Sequence, residues 1–372
     1  MDRRAFLARG GAMAAAGISA AALDTKGAHA GEASEAKGET GMLNVAMLSG
    51  WHAHAKGYAR RLGEMPEVKI TCVWDEVPER GEEWAKELKA DWVPSLDDVL
   101  ARSDVDGVVI DAPSNMHADI MVAAAEAGKH IFTEKVMCLT VSECDRVITE
   151  VKKAGVTFCI SFPFRTRPAT LYAHQAVREG LLGQLTSLRV RESHDAGSAG
   201  WLPPHFWDPV STGGGAMMDL GAHPMYLARW ICGEPIFISS TFVHMTVHDV
   251  EDNAVCTIVF EEGCIGVVET SFMSAHASFS MELTGTEGSL FVGGPDEDLV
   301  QIRSNKLDPD KWITPDRLPE ALPHPIRMWV DGILEGTPIP FGLEEGRQLT
   351  HLMEHAYIAD RECEKIVIPP LD

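Results

Sequence analysis

Short apolar runs alternate with amphipathic stretches through the first half of the chain. Residues 43–48, 68–74, 107–110, 129–132 and 157–160 are nearly continuous apolar runs, too short for helices. Such runs are buried strands. Between them, residues 53–62, 79–88, 118–127 and 141–154 place apolar side chains at helical spacing. Strands alternating with helices predict right-handed crossovers and a doubly wound parallel sheet. Ligands of such sheets bind beyond the carboxyl ends of the strands.

After about residue 161 the period changes. Residues 185–194, 254–260 and 265–272 alternate apolar and polar positions, and 288–293 and 299–302 add short strands. This predicts a large, mainly antiparallel sheet with one face covered by helices and the other open. The chain thus divides into an α/β domain at 43–160 and an α+β domain at 161–372. A linker of small and polar residues at 31–42 precedes them.

Residues 1–30 do not share these patterns. Arg3 and Arg4 precede Ala5, Phe6 and Leu7. A weakly apolar run follows from 11 to 23, and then Ala28-His29-Ala30. A basic start, a short apolar middle and small residues at the cut are the layout of an export signal. Arg-Arg-x-Phe-Leu resembles the twin-arginine signal, which implies a periplasmic protein exported already folded. If the signal is misread, the protein is cytoplasmic. The run is too short to span a bilayer, at about 20 residues, and no cysteine precedes Cys72, so no membrane anchor is expected.

Charge narrows the partners. The chain has 55 acidic and 32 basic residues in 372, a net charge of −23. Nucleic-acid affinity comes from neutralising phosphates, so a nucleic-acid binder is excluded. Eight cysteines without a C-x-x-C pair or zinc spacing point to free, buried thiols.

Candidate chemistry lies at the predicted strand ends. The first turn reads Ser49-Gly50-Trp51-His52-Ala53-His54, where a dinucleotide turn has G-x-G-x-x-G. The fingerprint is degraded, but a helix still starts there and its N–H groups can receive a phosphate. Asp75 ends the second strand, where a carboxylate holds an adenosine ribose; Arg80 nearby leaves NADP open. No third ligand lies near His52 and His54 in sequence, so no metal is expected. His244, His248, Asp249 and Asp252 have ligand chemistry. In an extended strand, however, i and i+4 lie about 13 Å apart, too far for one ion.

Three further motifs follow in order. Pro113-Ser-Asn115-Met-His117 comes after the third strand of the set above, then Gly128-Lys-His-Ile-Phe-Thr-Glu134-Lys135, then Gly213-Gly-Gly215-Ala-Met-Met-Asp219-Leu-Gly-Ala-His223. Together, and with residues 344–360, they resemble the Gfo/Idh/MocA oxidoreductases over roughly residues 43–372. The resemblance implies a Rossmann-like NAD domain, a sugar, cyclitol or related polyol as substrate, and a homo-oligomer, dimer or tetramer, paired through the open sheet. It implies cofactor contacts from Ser49, Gly50, His52, His54, Asp75, Pro113, Asn115, His117, Glu134 and Lys135. His223 is then the base, Lys135 the cation that stabilises an alkoxide, and Asp219 the orienting group. Asp219 and His223, at i and i+4, would share one helix face. Arg165 and Trp207 join them as substrate contacts, alongside Arg167, Trp201 and Phe206 as weaker candidates. Val136 replaces the family's proline after the lysine. Two rival readings stay open: an NAD-dependent glycosidase working through transient oxidation, and a non-catalytic protein with a relic dinucleotide fold.

Overall fold

The computed structural model describes residues 41–371. The expected signal at 1–30 and most of the linker lie outside the described residues. Residues from Gly41 onward form one compact unit.

Strand β1 (Leu43–Leu48) is central to the first sheet, and its last four side chains are buried. It pairs in parallel with β2 (Val68–Trp74) on one side and β4 (Gly107–Ile110) on the other. Strand β3 (Asp91–Trp92) extends the β2 side; β5 (His130–Thr133) and β6 (Phe158–Ile160) extend the β4 side. The order β3-β2-β1-β4-β5-β6 is all parallel, as the alternating pattern predicts. It reverses direction between β1 and β4, which opens a crevice at their carboxyl ends. Helix Val141–Ala154 shows why its limits were legible. Thr140 and Glu143 form a capping box at its start, and Gly155 takes φ 67° at its end.

The second sheet has nine strands. In spatial order they are β14 (Asp308–Ile313), β13 (Val300–Ser304), β12 (Gly288–Gly293), β11 (Ser280–Gly285), β7 (Leu185–Ser193), β10 (Ile265–Ser271), β9 (Asn253–Phe260), β8 (Pro235–Val243) and β15 (Ile366–Val367). Only β7 and β10 pair in parallel. Along β9, Ala254, Cys256, Ile258 and Phe260 are buried and their neighbours are not. That is the alternation of a sheet with one packed face. Helices Ala222–Cys232 and Leu343–Glu362 pack on it. Helix Pro325–Glu335, late in the chain, returns to the first sheet and packs on β5 and β6, with Trp329 fully buried.

All eight cysteines are unpaired, and only Cys363 is exposed. Among the described residues, no helix is long and apolar enough to cross a membrane.

Candidate active site

Three strand ends of the first sheet meet two short helices of the second half. Beyond β5, Glu134 and Lys135 are buried, and the Lys135–Val136 peptide bond is cis. Lys135 Nζ donates to Asp219 Oδ1 and to the Asp219 carbonyl, both at 2.6 Å. His52 Nε2, from the turn after β1, lies 3.7 Å from the same Asp219 oxygen. Burial opposes ionisation of Asp219, but the Lys135 ammonium beside it holds the carboxyl well below the usual range.

The glycines before Asp219 are required by close approach. A Cβ on Gly215 would sit 1.9 Å from the Glu251 carbonyl, and one on Gly214 would sit 1.9 Å from the Tyr357 hydroxyl. Glu251, 3% exposed, accepts the Gly215 and Met217 N–H groups and the Tyr357 hydroxyl. It caps helix Ala216–Asp219 and so positions Asp219. Sequence reasoning missed it, because its partners are 34 to 106 residues away. One expectation needs correction: Asp219 and His223 do not share a helix. The first helix ends at Asp219, and His223 belongs to Ala222–Cys232.

His223 is buried, its ring 4.6 Å from Phe164. Burial first, and then Lys135, hold its pKa well below 6.5, so it is neutral. The Phe164 N–H donates to the Tyr226 hydroxyl, which lies 3.0 Å from His223 Nδ1.

The cleft itself is lined by Trp51, His52, Ser114, Lys135, Phe206, Thr212, Gly214, Gly215, Met218 and Asp219, and encloses about 20 Å³. That is room for about one water. Trp51, 6% exposed, stacks on Phe206 at 5.1 Å and lies 5.0 Å from His205, closing the cleft.

Two features fit a dinucleotide. Helix Ala55–Gly63 starts with no side-chain cap and no acid in its first turn, so its positive end is open to an anion. Ser49 takes φ 73°, the conformation the first glycine of the fingerprint supplies. The turn's own N–H groups are meanwhile satisfied internally. Gly50 donates to Asp75, Trp51 to Ser49, His52 to the Asp111 carbonyl and His54 to His52. In this conformation the turn thus offers no free N–H group of its own to a pyrophosphate.

Several expected contacts lie elsewhere. Asp75 is fully buried and already accepts from Gly50 N, Val77 N and both Nε and Nη2 of Arg80. A carboxylate has about four acceptor sites, so none is left for a ribose in this conformation. His117 is buried, its Nδ1 2.8 Å from the Val136 carbonyl and its Nε2 2.9 Å from the Ala112 carbonyl, so it packs between two loops and does not face the cleft. Pro113 is buried, Asn115 is exposed, and Ser114 between them lines the cleft. Trp207 faces away and stacks on His248 at 4.0 Å; Phe206 takes the cleft side. Arg165 lies over Trp230 and Phe341 and lines a separate cavity of about 220 Å³. Arg167 lies over Phe164. His244 and His248 sit in a bend between β8 and β9, not in a strand. There Asp252 accepts the Met245 and Thr246 N–H groups.

Glu192, near the end of β7, has an unpartnered buried oxygen. Burial raises its pKa from 4.5 to about 7, against the pull of Arg167 and Lys135. The folded state thus holds this proton more tightly than the unfolded one. Its contribution is full below about pH 4.5 and is lost as pH rises through about 7. Glu192→Gln should therefore raise the melting temperature by a few degrees at pH 8 and change it little at pH 4.5. The ceiling is about 3 kcal/mol. Equal gains at both pH values would show an effect of shape, not charge.

Comparisons with known proteins agree with this architecture. Residues 43–162 match the oxidoreductase family with NAD-binding Rossmann fold, and 170–291 match the GFO/IDH/MocA C-terminal domain. The scyllo-inositol 2-dehydrogenase (NAD+) of Bacillus subtilis (strain 168) is 30% identical over 263 residues, 68% of this chain and 73% of that protein. The levoglucosan dehydrogenase of Pseudarthrobacter phenanthrenivorans is 29% identical over 301 residues, 70% of this chain and 76% of that protein. A levoglucosan dehydrogenase solved with NADH and levoglucosan superposes with a TM-score of 0.78 at 22% identity, covering 88% of this chain and all of that one. The chain belongs to the Gfo/Idh/MocA family of oxidoreductases, with an NAD-binding Rossmann domain over residues 43–162.

Proposed function

We propose that the protein moves a hydride between a hydroxyl-bearing carbon of a sugar, cyclitol or related polyol and a nicotinamide cofactor. The observation that carries this reading is the buried Lys135–Asp219 pair at the closed cleft, with His223 nearby. The dinucleotide, when bound, accepts or returns the hydride. Lys135 donates to the substrate oxygen and stabilises its negative charge. Asp219 orients that ammonium. His223 exchanges the oxygen's proton: as neutral imidazole it accepts the proton when the alcohol is oxidised, and as imidazolium it returns it when the carbonyl is reduced. The test is a polyol and ketose panel followed at the nicotinamide absorbance, after mass spectrometry of any nucleotide that co-purifies. No turnover with any of them, and no nucleotide bound, would overturn the reading. The scyllo-inositol and levoglucosan relatives set the first substrates to try.

Two further proposals accompany it. The open face of the second sheet pairs subunits, and sedimentation velocity of the purified protein should show a dimer or tetramer; a monomer would refute this. The protein is exported through its Arg3-Arg4 signal. Replacing both arginines by lysine should hold it in the cytoplasm with activity intact. Unchanged appearance of the double-lysine form in the periplasmic fraction would refute that route.

A further inference from the structure

The turn after β1 departs from a dinucleotide fingerprint in a particular way. His54 stands where the third glycine belongs, and His52 precedes it by two residues. The turn brings their rings to 4.5 Å. Glu134 reaches them from the end of β5, eighty residues along the chain. One ligand atom from each of His52, His54 and Glu134 lies within 4.8 Å of the other two. Among the described residues this is the one group of three so placed. The expectation of no third ligand fails because that ligand is near in space and remote in sequence.

We propose that His52, His54 and Glu134 bind a divalent first-row transition ion. Two imidazoles and a carboxylate form a donor set suited to zinc or non-haem iron. Ligands about 2.1 Å from an ion lie roughly 3.4 to 4.2 Å apart, so the His54–Glu134 pair must open slightly to admit the ion and His52 must draw in to it. The ion takes the place of the proton between His54 Nδ1 and Glu134 Oε1, now 2.8 Å apart. His52 offers Nε2, since its Nδ1 accepts the His54 N–H at 3.2 Å.

The surroundings support a cation. The Glu134 and Asp219 carboxylates outnumber the Lys135 ammonium, leaving a net negative charge for a dication to offset. Glu134 Oε1, the oxygen that faces His54, also accepts the Tyr58 hydroxyl, and Oε2 accepts the Lys135 N–H. Outer partners of this kind orient metal-binding carboxylates. The His54 side chain is 47% exposed and provides a way in from solvent. The inference does not rest on the oxidoreductase reading, because the three donors converge whatever the cleft does to its substrate.

The test uses the full chain, stripped with a chelator and titrated with Co²⁺. The expected result is one equivalent bound at micromolar affinity or tighter, with visible d–d absorption. His54→Asn and Glu134→Gln should each weaken uptake at least tenfold, and His244→Asn, in the surface bend, should leave it unchanged. If Glu134→Gln fails to fold, His54→Asn decides alone, because that side chain is half exposed. No uptake below millimolar Co²⁺, or uptake indifferent to His54→Asn, overturns the proposal. NADH binding, read separately by nicotinamide fluorescence, reports on the oxidoreductase reading, so the two can fail independently.

Discussion

Lys135→Met is expected to lower kcat by about 10²–10³, the usual loss when one charged contact to a developing oxyanion is removed. It should also cost stability. Lys135 Nζ is bonded twice to Asp219, and its side chain is 2% exposed. Removing it strands the Asp219 carboxylate. Breaking a fully buried pair costs about 3–5 kcal/mol, and the 19% exposure of the Asp219 side chain lets water recover part of that. A loss of roughly 2–3 kcal/mol is therefore expected by urea denaturation. The double variant Lys135→Met with Asp219→Asn separates the two effects. It should regain most of the stability, since no unpaired charge remains, and none of the activity. A single variant that turns over its substrate at the wild-type rate would show that Lys135 only holds Asp219 in place.

How much of this was legible in the sequence depended on the range of the cause. Strands β1, β2 and β4 are short apolar runs, and helix Val141–Ala154 carries its own caps, so local pattern located them. Strand β3 has two residues and takes its identity from pairing with β2, which no local pattern encodes. Helix Pro168–Arg178 and strand β8 also went unread, although both bury apolar side chains. As candidates, Lys135, Asp219 and His223 were legible through the family's motifs, and the fold brings the first two together at the cleft. Their supports were not. Glu251 acts across gaps of 34 to 106 residues, and Tyr226 ties His223 to the Phe164 N–H 62 residues away. Phe206 and Trp207 are adjacent, and only the turn they occupy decides which one faces Trp51. Arg165 follows a strand end as a ligand contact would, yet its guanidinium lies over Trp230 and Phe341.

Trp51→Ala is expected to speed nucleotide exchange about tenfold or more. Trp51 packs against the Phe206 and His205 rings, 5.1 and 5.0 Å away. Aromatic pairs contribute about 0.5–1.5 kcal/mol each beyond burial. Two such contacts come to roughly 1–3 kcal/mol, and 1.4 kcal/mol is a factor of ten. In the wild type, parting the stack should limit both entry and release, so a bound nucleotide should persist for minutes. Slow release has a use if the protein works outside the cytoplasm, where free nicotinamide nucleotide is scarce. A dehydrogenase that lost its cofactor each cycle would stop there. One that keeps it can return the hydride to a second substrate, an aldose or a ketose. Kinetics should then be ping-pong, with parallel double-reciprocal lines for the donor and acceptor sugars. Labelled NAD mixed with the loaded enzyme should exchange far more slowly than turnover, and Trp51→Ala should bring the two rates together. Intersecting lines, or wild-type exchange as fast as turnover, would show that the Trp51–Phe206 stack does not retain the cofactor.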